Sequence, residues 1–239
     1  MMEHRTVNRV VIILETVAAN QQGVPLSTLA ESLQAPKSSI FSLLSGLVSQ
    51  GYLVKTDGRY TLGPAVSALL AATPPPMIGA RLEPLIATLR DQFDETVMVA
   101  TNVGDSIVYV AKNESQQSIR YSAPLGVRRP IYPTSSGKCF LAAMSDARQL
   151  RYLRSYVPDE ARRAEVLVEL RQVRETGVAY NRGETLKDVS AAASLVGSKD
   201  KPVAAIAIAG PTVRVSAMLK EFGVSVQRAA REAEKLLGM

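Results

Sequence analysis

The sequence predicts an α+β fold in two parts: a small helical unit that ends in a β-hairpin, and a larger unit in which strands and helices mix. Apolar residues recur at helical spacing through most of the first 50 positions. An Asp-Gly pair then separates two strand-like runs, and the apolar spacing changes to two after residue 95. A chain of 239 residues is long enough for two domains.

Residues 7–20 predict the first helix, because their apolar side chains fall on one face. Gly23 lies just beyond its expected end. A second, short helix is expected after the break, with Ser27 as its N-terminal cap. A third helix should follow Gln34-Ala35-Pro36 and end at Gly51.

The Asp57-Gly58 pair predicts a hairpin with a two-residue turn. That turn places Leu53 opposite Leu62, and we expect both side chains on one buried face. A short helix, a tight turn and a longer helix followed by a hairpin indicate a winged helix-turn-helix.

In a helix-turn-helix, the N-terminal end of the second helix enters the major groove of DNA. The residues expected to face outward there are Lys37, Ser38, Ser39, Phe41 and Ser42. Lys55 and Arg59 would lie on the wing, near a neighbouring stretch of DNA backbone. A helical docking module with solvated serines fits the same pattern, so that alternative stays open.

The net charge of +6 does not by itself indicate DNA binding. Residues 1–72 hold five basic and four acidic side chains, a balance of only +1. The DNA interpretation therefore rests on the pattern of helices and hairpin.

The remaining composition narrows the class of protein. Hydrophobic residues make up 46% and charged residues 21%, which is typical of globular proteins. No apolar run approaches the ~20 residues that cross a bilayer, and Val10–Leu14 is too short for a signal-peptide core. We therefore expect a cytoplasmic protein with no membrane partner. One cysteine, Cys139, and one histidine, His4, leave no internal disulfide and no plausible zinc site, and we expect no cofactor.

A domain boundary is expected in the alanine- and proline-rich stretch 68–76, because Pro74-Pro75-Pro76 cannot continue a helix. We set the DNA-binding domain at 1–66, the linker at 67–77 and the second domain at 78–239. In the second domain, the expected helices are 78–93, 136–144, 164–176 and 211–237, the last broken near Gly223. The expected strands of a mostly antiparallel sheet are 96–101, 106–111, 118–122, 177–181, 189–196 and 202–209.

The segment Pro133–Lys138 leads directly into a helix and has several interpretations. A P-loop is nearly excluded, because that motif needs glycine at Tyr132 and Ser or Thr at Cys139. Ser135 and Lys138 have the Ser-x-x-Lys spacing of a serine hydrolase. Free backbone amides at the helix start could instead bind a carboxylate, or Ser135 could simply cap the helix. Asn181–Glu184 could supply polar groups to the same pocket.

Several of these segments together resemble the IclR family of bacterial transcription regulators. In the first domain they are 7–10, 26–30, 36–40, 51–53 and 59–63. In the second they are Thr96-Val97, Val108–Val110, Thr134-x-x-Gly137-Lys138-x-x-Leu141-Ala142 and Gly210-Pro211-x-x-Arg214. The resemblance adds Arg9, Ser27 and Thr28 to the candidate DNA contacts.

The resemblance implies a non-enzymatic regulator with a GAF-like effector domain. It further implies a dimer or dimer of dimers, a double-stranded operator with half-sites, and either repression or activation. Family effectors are commonly small carboxylates from carbon catabolism. Carried over, Ser136 and Gly137 lie where backbone amides meet the carboxylate, and Asn181 matches a position often occupied by Asp.

This chain departs from the family pattern in three respects. Ser42 stands where the recognition helix often has Arg, so one expected DNA contact is lost. Ala191 matches a position that is Cys in some members, and Ala207 and Ala209 match two small polar positions. The pocket wall should therefore be apolar.

We accordingly expect a carboxylate effector with an aromatic or otherwise apolar body, and control of an aromatic catabolic operon. Met98, Tyr109 and Tyr132 are the expected wall residues. Two alternatives stay open: a Ser-x-x-Lys hydrolase, and a GAF-like interaction module that does not bind DNA.

Overall fold

The computed structural model describes residues 4–72 and 78–239. The chain separates into two compact units, Met1–Pro76 and Met77–Met239. Pro74-Pro75-Pro76, the centre of the expected linker, lies outside the described residues. The domain boundaries stay predictions, and the expected linker begins within a helix that spans Pro64–Ala72.

Unit 1 contains three helices, a small sheet and that fourth helix. The helices are α1 (Arg5–Ala18), α2 (Leu26–Ser32), α3 (Lys37–Ser49) and α4 (Pro64–Ala72). The strands are β1 (Val24–Pro25), β2 (Leu53–Thr56) and β3 (Arg59–Leu62), in the order β1-β3-β2. The core contains Ile13, Val17, Leu29, Ile40, Leu44, Leu53 and Tyr60.

The hairpin turn has the conformation that the sequence predicted. Asp57 and Gly58 have φ of 52° and 77°, as a two-residue turn of type I′ requires. Leu53 pairs with Leu62 as expected, but the prediction that both are buried was wrong. Leu53 is 1% exposed and Leu62 is 40% exposed. The core contains Leu53 and Tyr60, which lies diagonally across the hairpin from it, instead of Leu62.

The predicted cap of α2 was also wrong. The helix begins at Leu26 after Pro25, which has extended dihedral angles and makes no side-chain cap, so Ser27 lies inside the first turn. Pro25 pairs with Arg59 in the sheet, and this pairing sets where the chain leaves β1 and the helix starts.

Unit 2 is a six-stranded antiparallel sheet with helices on both faces. Its strands are β4 (Thr96–Val103), β5 (Ser106–Asn113), β6 (Arg128–Pro130), β7 (Val178–Arg182), β8 (Val189–Gly197) and β9 (Pro202–Pro211). Their order is β6-β5-β4-β9-β8-β7. With unit 1, this sheet confirms the predicted α+β fold class.

The two faces of the sheet carry different helices. One face packs against α6 (Ser135–Ala143), α7 (Asp146–Tyr156) and α8 (Glu160–Thr176). The other packs against α5 (Ile78–Phe93) and α10 (Leu219–Leu237), which follows the short α9 (Thr212–Val215). Neighbouring residues of β4 alternate between the two cores: Met98 belongs to the first and Val97 to the second.

Two predictions for unit 2 were wrong. Residues 118–122 form no strand, and the strand in this part of the chain is β6. The C-terminal helix is interrupted at Ser216–Met218, whereas Gly223 lies inside the continuous α10. A Cβ at Gly223 would come within 2.2 Å of the Tyr180 hydroxyl, so this glycine allows close packing and not a break. In the described ranges, no helix is both long and apolar enough to cross a membrane.

Candidate DNA-binding surface and effector pocket

The N-terminal end of α3 presents a polar, exposed surface. The helix buries Ile40 and Leu44, and this orientation leaves Lys37, Ser38 and Ser42 exposed. Phe41 is 49% exposed and adds an aromatic side chain to this surface. No side chain caps the helix, and the Ser39 amide donates to the Pro36 carbonyl at 3.0 Å, so the amides of Lys37 and Ser38 remain open to a phosphate.

Two other predicted DNA contacts lie beside this end of α3. The Lys55 ammonium lies 5.9 Å from the centre of the Phe41 ring, which places the wing next to the helix. Arg9 donates a hydrogen bond of 3.4 Å from Nη1 to Ser39 Oγ, and both residues are partly buried. The structure therefore brings α1, α3 and the wing to one surface.

The remaining three predicted contacts differ in their roles. Arg59 is exposed, but its Nη1 donates to the Gly23 carbonyl at 3.0 Å and so also ties β3 to the chain before β1. Ser27 and Thr28 are exposed in the first turn of α2.

Unit 2 contains a small cavity at the start of α6, with a volume of about 30 Å³. Five predicted effector contacts line it: Met98, Tyr109, Asn181, Ala191 and Ala209. The other lining residues were not among the predicted effector contacts: Tyr121, Thr134, Ser135, Thr185, Leu186 and Val189. We call this cavity the α6 pocket.

Four predicted effector contacts do not line the α6 pocket: Tyr132, Ser136, Gly137 and Ala207. Ala207 is 1% exposed and belongs to the core. Tyr132 accepts a hydrogen bond of 3.3 Å from Arg162 at its hydroxyl, outside the pocket lining.

The cap of α6 is Thr134, and the alternative that Ser135 caps the helix was wrong. Thr134 Oγ1 accepts from the Gly137 amide at 3.1 Å and donates to the Ile131 carbonyl at 2.9 Å. The Gly137 amide is therefore already bonded, which argues against its predicted role as a donor to the effector. Gly137 is needed for another reason, because a Cβ would come within 1.8 Å of Ile131 O.

Three polar groups at the N-terminal end of α6 have no hydrogen-bond partner among the described residues: two backbone amides and one hydroxyl. Within the described ranges, the amides of Ser135 and Ser136 donate no hydrogen bond. Ser136 is fully buried, and its Oγ has no hydrogen-bond partner there either. Buried polar groups are nearly always paired in native proteins. These three groups therefore indicate a site for a polar ligand.

Tyr109 forms part of the wall close to these groups. Burial raises the pKa of its phenol well above the usual value, and the nearby Tyr121 raises it further. Arg129 opposes this shift, and so does the Ser136 hydroxyl, which lies near the phenol although its geometry falls short of a hydrogen bond. The phenol is therefore neutral at physiological pH and can donate a hydrogen bond.

Asn181 holds the loop that closes one side of the pocket. Its Nδ2 donates to Pro133 O at 2.8 Å and to Thr185 Oγ1 at 2.7 Å. Its Oδ1 accepts from the Glu184 amide at 3.2 Å. Both amide protons are used, so Asn181 positions the loop and has little capacity left for a ligand.

Lys138 is a fully buried charge, and its role could not be predicted from the sequence. Its Nζ donates to Glu169 Oε1 at 2.7 Å, Glu184 Oε2 at 2.6 Å and the Tyr180 carbonyl at 2.8 Å. These three acceptors hold the Lys138 ammonium, and in the described residues it makes no hydrogen bond to Ser135. This geometry gives the Ser-x-x-Lys hydrolase no support.

A winged helix-turn-helix with an exposed recognition helix, joined in one chain to an α+β domain, defines a DNA-binding transcription regulator. Residues 6–57 match the IclR helix-turn-helix domain, and residues 76–235 match the model described as bacterial transcriptional regulator IclR C-terminal. The chain therefore belongs to the IclR family of bacterial transcription regulators.

Known relatives cover nearly the whole chain. The regulator SauR of Cupriavidus necator is 28% identical over 93% of this chain and 93% of its own length. The transcriptional repressor IclR of Escherichia coli is 25% identical over 95% of this chain and 87% of its own. TtgV of Pseudomonas putida is 25% identical over 80% and 76%.

Solved structures share the fold at lower identity. An IclR-type regulator from a Silicibacter species superposes with a TM-score of 0.78 at 22% identity, covering 98% of this chain and 96% of its own. A second, from Alicyclobacillus acidocaldarius, has a TM-score of 0.75 at 21% identity and covers 98% and 99%.

Proposed function

We propose that this regulator controls a catabolic operon in the cytoplasm in response to a small carboxylate that binds in the α6 pocket. The unpaired amide of the lining residue Ser135 carries this proposal, together with the unpaired amide and Oγ of the adjacent Ser136, which would become accessible when the pocket opens. A carboxylate is an acceptor, and these groups are donors at the positive end of a helix dipole.

The wall of the pocket favours an effector with an aromatic or otherwise apolar body. Met98, Ala191 and Ala209 offer no polar atoms from their side chains, and Tyr109 and Tyr121 offer ring faces. A volume of about 30 Å³ is one water's share of the liquid. Binding therefore requires the loop between β7 and β8, residues 183–188, to move outward.

Calorimetry with benzoate, glyoxylate and pyruvate tests the effector. We expect benzoate to bind, and Ser136→Ala to weaken its binding about fivefold through the loss of one hydrogen bond of ~1 kcal/mol. The free Ser136→Ala protein should be no less stable, because the substitution removes an unpaired hydroxyl. The exposed Ser145 provides a control, Ser145→Ala, that should leave binding unchanged.

Tight binding of glyoxylate or pyruvate without benzoate would contradict the apolar body. If none of a wider panel of organic acids bound, the pocket itself would be rejected.

For the operator, we propose that the exposed N-terminal end of α3 contacts bases and phosphates and that the wing contacts the neighbouring backbone. Lys37→Ala should weaken binding to the DNA upstream of neighbouring genes about tenfold in a mobility-shift assay. Lys220→Ala, which removes an exposed lysine from α10, should leave affinity unchanged. Equal affinity of both variants would show that α3 is not the contact surface.

Assembly as a dimer or dimer of dimers is part of the proposal. Unit 1 exposes apolar side chains on α1 (Val7, Val11 and Ile12) and on α4 (Leu69 and Leu70). Pairing through such surfaces would present two recognition helices to two half-sites. The effector would then act by its different affinity for two assembly geometries, as a repressor or an activator.

A further inference from the structure

We propose that unit 2 has a second ligand site, separate from the α6 pocket, that takes a small organic anion with an apolar body. The site is a cleft of about 260 Å³. This is about nine times the ~30 Å³ that one water occupies in the liquid. The cleft and the α6 pocket have no lining residue in common.

The cleft exists because β8 is longer than its neighbour β7. Val178, the first residue of β7, pairs with Ser194 of β8, so Leu195–Gly197 of β8 have no partner in β7. The second halves of α6 and α10 and the end of α8 surround this uncovered part of the strand.

The floor of the cleft is apolar and well packed. It contains Cys139, Ala142, Val173 and Ala230, none more than 7% exposed. These side chains offer a hydrocarbon surface to a ligand. Burial raises the pKa of the Cys139 thiol to about 12, so it adds no negative charge at neutral pH.

The rim of the cleft carries three cations and one carboxylate: Arg174, Lys199, Arg231 and Glu234. Arg174 is already occupied, because it donates to the Ala142 and Met144 carbonyls and pairs with Asp146. Glu234 Oε1 accepts from the Gly197 amide at 3.0 Å.

Lys199 and Arg231 thus remain for a ligand. Across the described residues, neither makes a hydrogen bond or an ion pair. Two uncommitted cations above an apolar floor match a carboxylate with a short hydrocarbon body.

Helix α6 connects the two proposed sites. Thr134 and Ser135 line the α6 pocket, and Cys139, Ala142 and Ala143 of the same short helix line the cleft. A ligand in the cleft therefore contacts the helix whose N-terminus is proposed to bind the effector. Any coupling between the sites must be reciprocal.

Calorimetric titration of the full-length protein with octanoate tests the cleft. We expect binding that weakens about tenfold or more in the double variant Lys199→Gln/Arg231→Gln, because charge-assisted contacts are lost. The matched control is Arg228→Gln/Lys235→Gln, which removes two exposed cations that do not line the cleft. This control should bind octanoate as the unaltered protein does.

The proposal is overturned if octanoate does not bind, or if both double variants lose affinity equally. It is also overturned if Ser136→Ala removes octanoate binding, because the octanoate would then occupy the α6 pocket. Failure of the effector proposal leaves this test unaffected, since Lys199 and Arg231 lie outside that pocket.

Discussion

Gly137 lies in the first turn of α6 and has no room for a side chain. A Cβ would come within 1.8 Å of Ile131 O and 2.6 Å of Thr134 Oγ1, and both atoms belong to the cap of the helix. Gly137→Ala is therefore expected to lower the free energy of unfolding by about 3 kcal/mol or more, as overpacking of a closed site does.

Urea denaturation followed by circular dichroism measures this change. Gly46→Ala is the matched control, because nothing lies within 4 Å of a Cβ at that exposed position in α3. It should raise stability by about 0.5–1 kcal/mol through helix propensity. Equal effects of the two substitutions would mean that the Ile131 carbonyl does not confine Gly137.

Gly210 is a second glycine without room for a side chain, and the residue that fills the space beside it could not be predicted from the sequence. The sequence placed Gly210 and Arg214 in one motif, but their physical partner is the distant Glu95. Arg214 Nη2 donates to Glu95 Oε2 at 2.9 Å and Nε to Oε1, and this pairing raises the pKa of Arg214. A Cβ at Gly210 would collide with the Glu95 carboxylate, which is 1% exposed. A pattern within one segment contains no information about such a partner.

At the scale of elements, apolar periodicity predicted the long strands well and the polar elements poorly. β4, β8 and β9 were found near their expected positions because most of their side chains are buried, and β5 because buried residues alternate with less buried ones along it. Helix α7 was missed because only three of its side chains are buried, and one of them is Gln149. Gln149 Nε2 donates to the carbonyls of Leu141 and Met144 near the end of α6, a function that periodicity cannot detect.

The false strand at 118–122 has a related cause. Its backbone carbonyls pair with side chains and not with a neighbouring strand. Tyr121 O accepts from Thr96 Oγ1 at 2.6 Å, and Ile119 O accepts from Arg214 at 3.1 Å.

The loop at 183–188 is an element whose mobility can be tested directly. Glu184 anchors it to the buried Lys138, and Thr185 and Leu186 form part of the pocket wall. Glu184→Gln should weaken the anchor while Lys138 keeps Glu169 and the Tyr180 carbonyl, so the fold should remain intact. We expect amide hydrogen exchange at residues 184–188 to accelerate about tenfold, as for a loop that loses ~1.4 kcal/mol of local stability.

Glu175→Gln is the control for this measurement. Glu175 is an exposed carboxylate near the end of α8 and pairs with neither Lys138 nor Arg162. Unchanged exchange in the Glu184 variant would show that Lys138 does not hold the loop closed.

At the scale of the whole molecule, the two-part organisation followed from the sequence, but the α6 pocket was only half predicted. Met98, Tyr109, Ala191 and Ala209 line it because the strand register turns them toward it, whereas Ala207 on β9 does not; that these residues contact an effector stays a prediction. Near the start of α6, the sequence pointed to Ser136 and Gly137, whereas Thr134 and Ser135 line the pocket. The difference arises because the cap of the helix is Thr134. A helix start is defined by a single side-chain hydrogen bond, and an error of one residue there changes which amides are open.

The modest charge of the first unit leads to a prediction for the assembled regulator on DNA. Lys37, Lys55 and Arg59 are the exposed basic residues at the recognition helix and wing. A dimer on two half-sites would then neutralise about six phosphates, and the logarithm of the binding constant should fall with the logarithm of salt concentration with a slope of about −5. A single protomer would give a slope of about −3.

Fluorescence anisotropy with a labelled upstream DNA fragment, measured across a range of KCl concentrations, determines this slope. In a dimer, Lys37→Ala removes one contact in each half-site and should reduce the magnitude of the slope by about two. Lys220→Ala should leave it unchanged, because that lysine lies in the second unit. A slope near zero would reject DNA binding through this surface. A slope of −3 that changed by one in the Lys37 variant would instead mean that one protomer binds DNA alone.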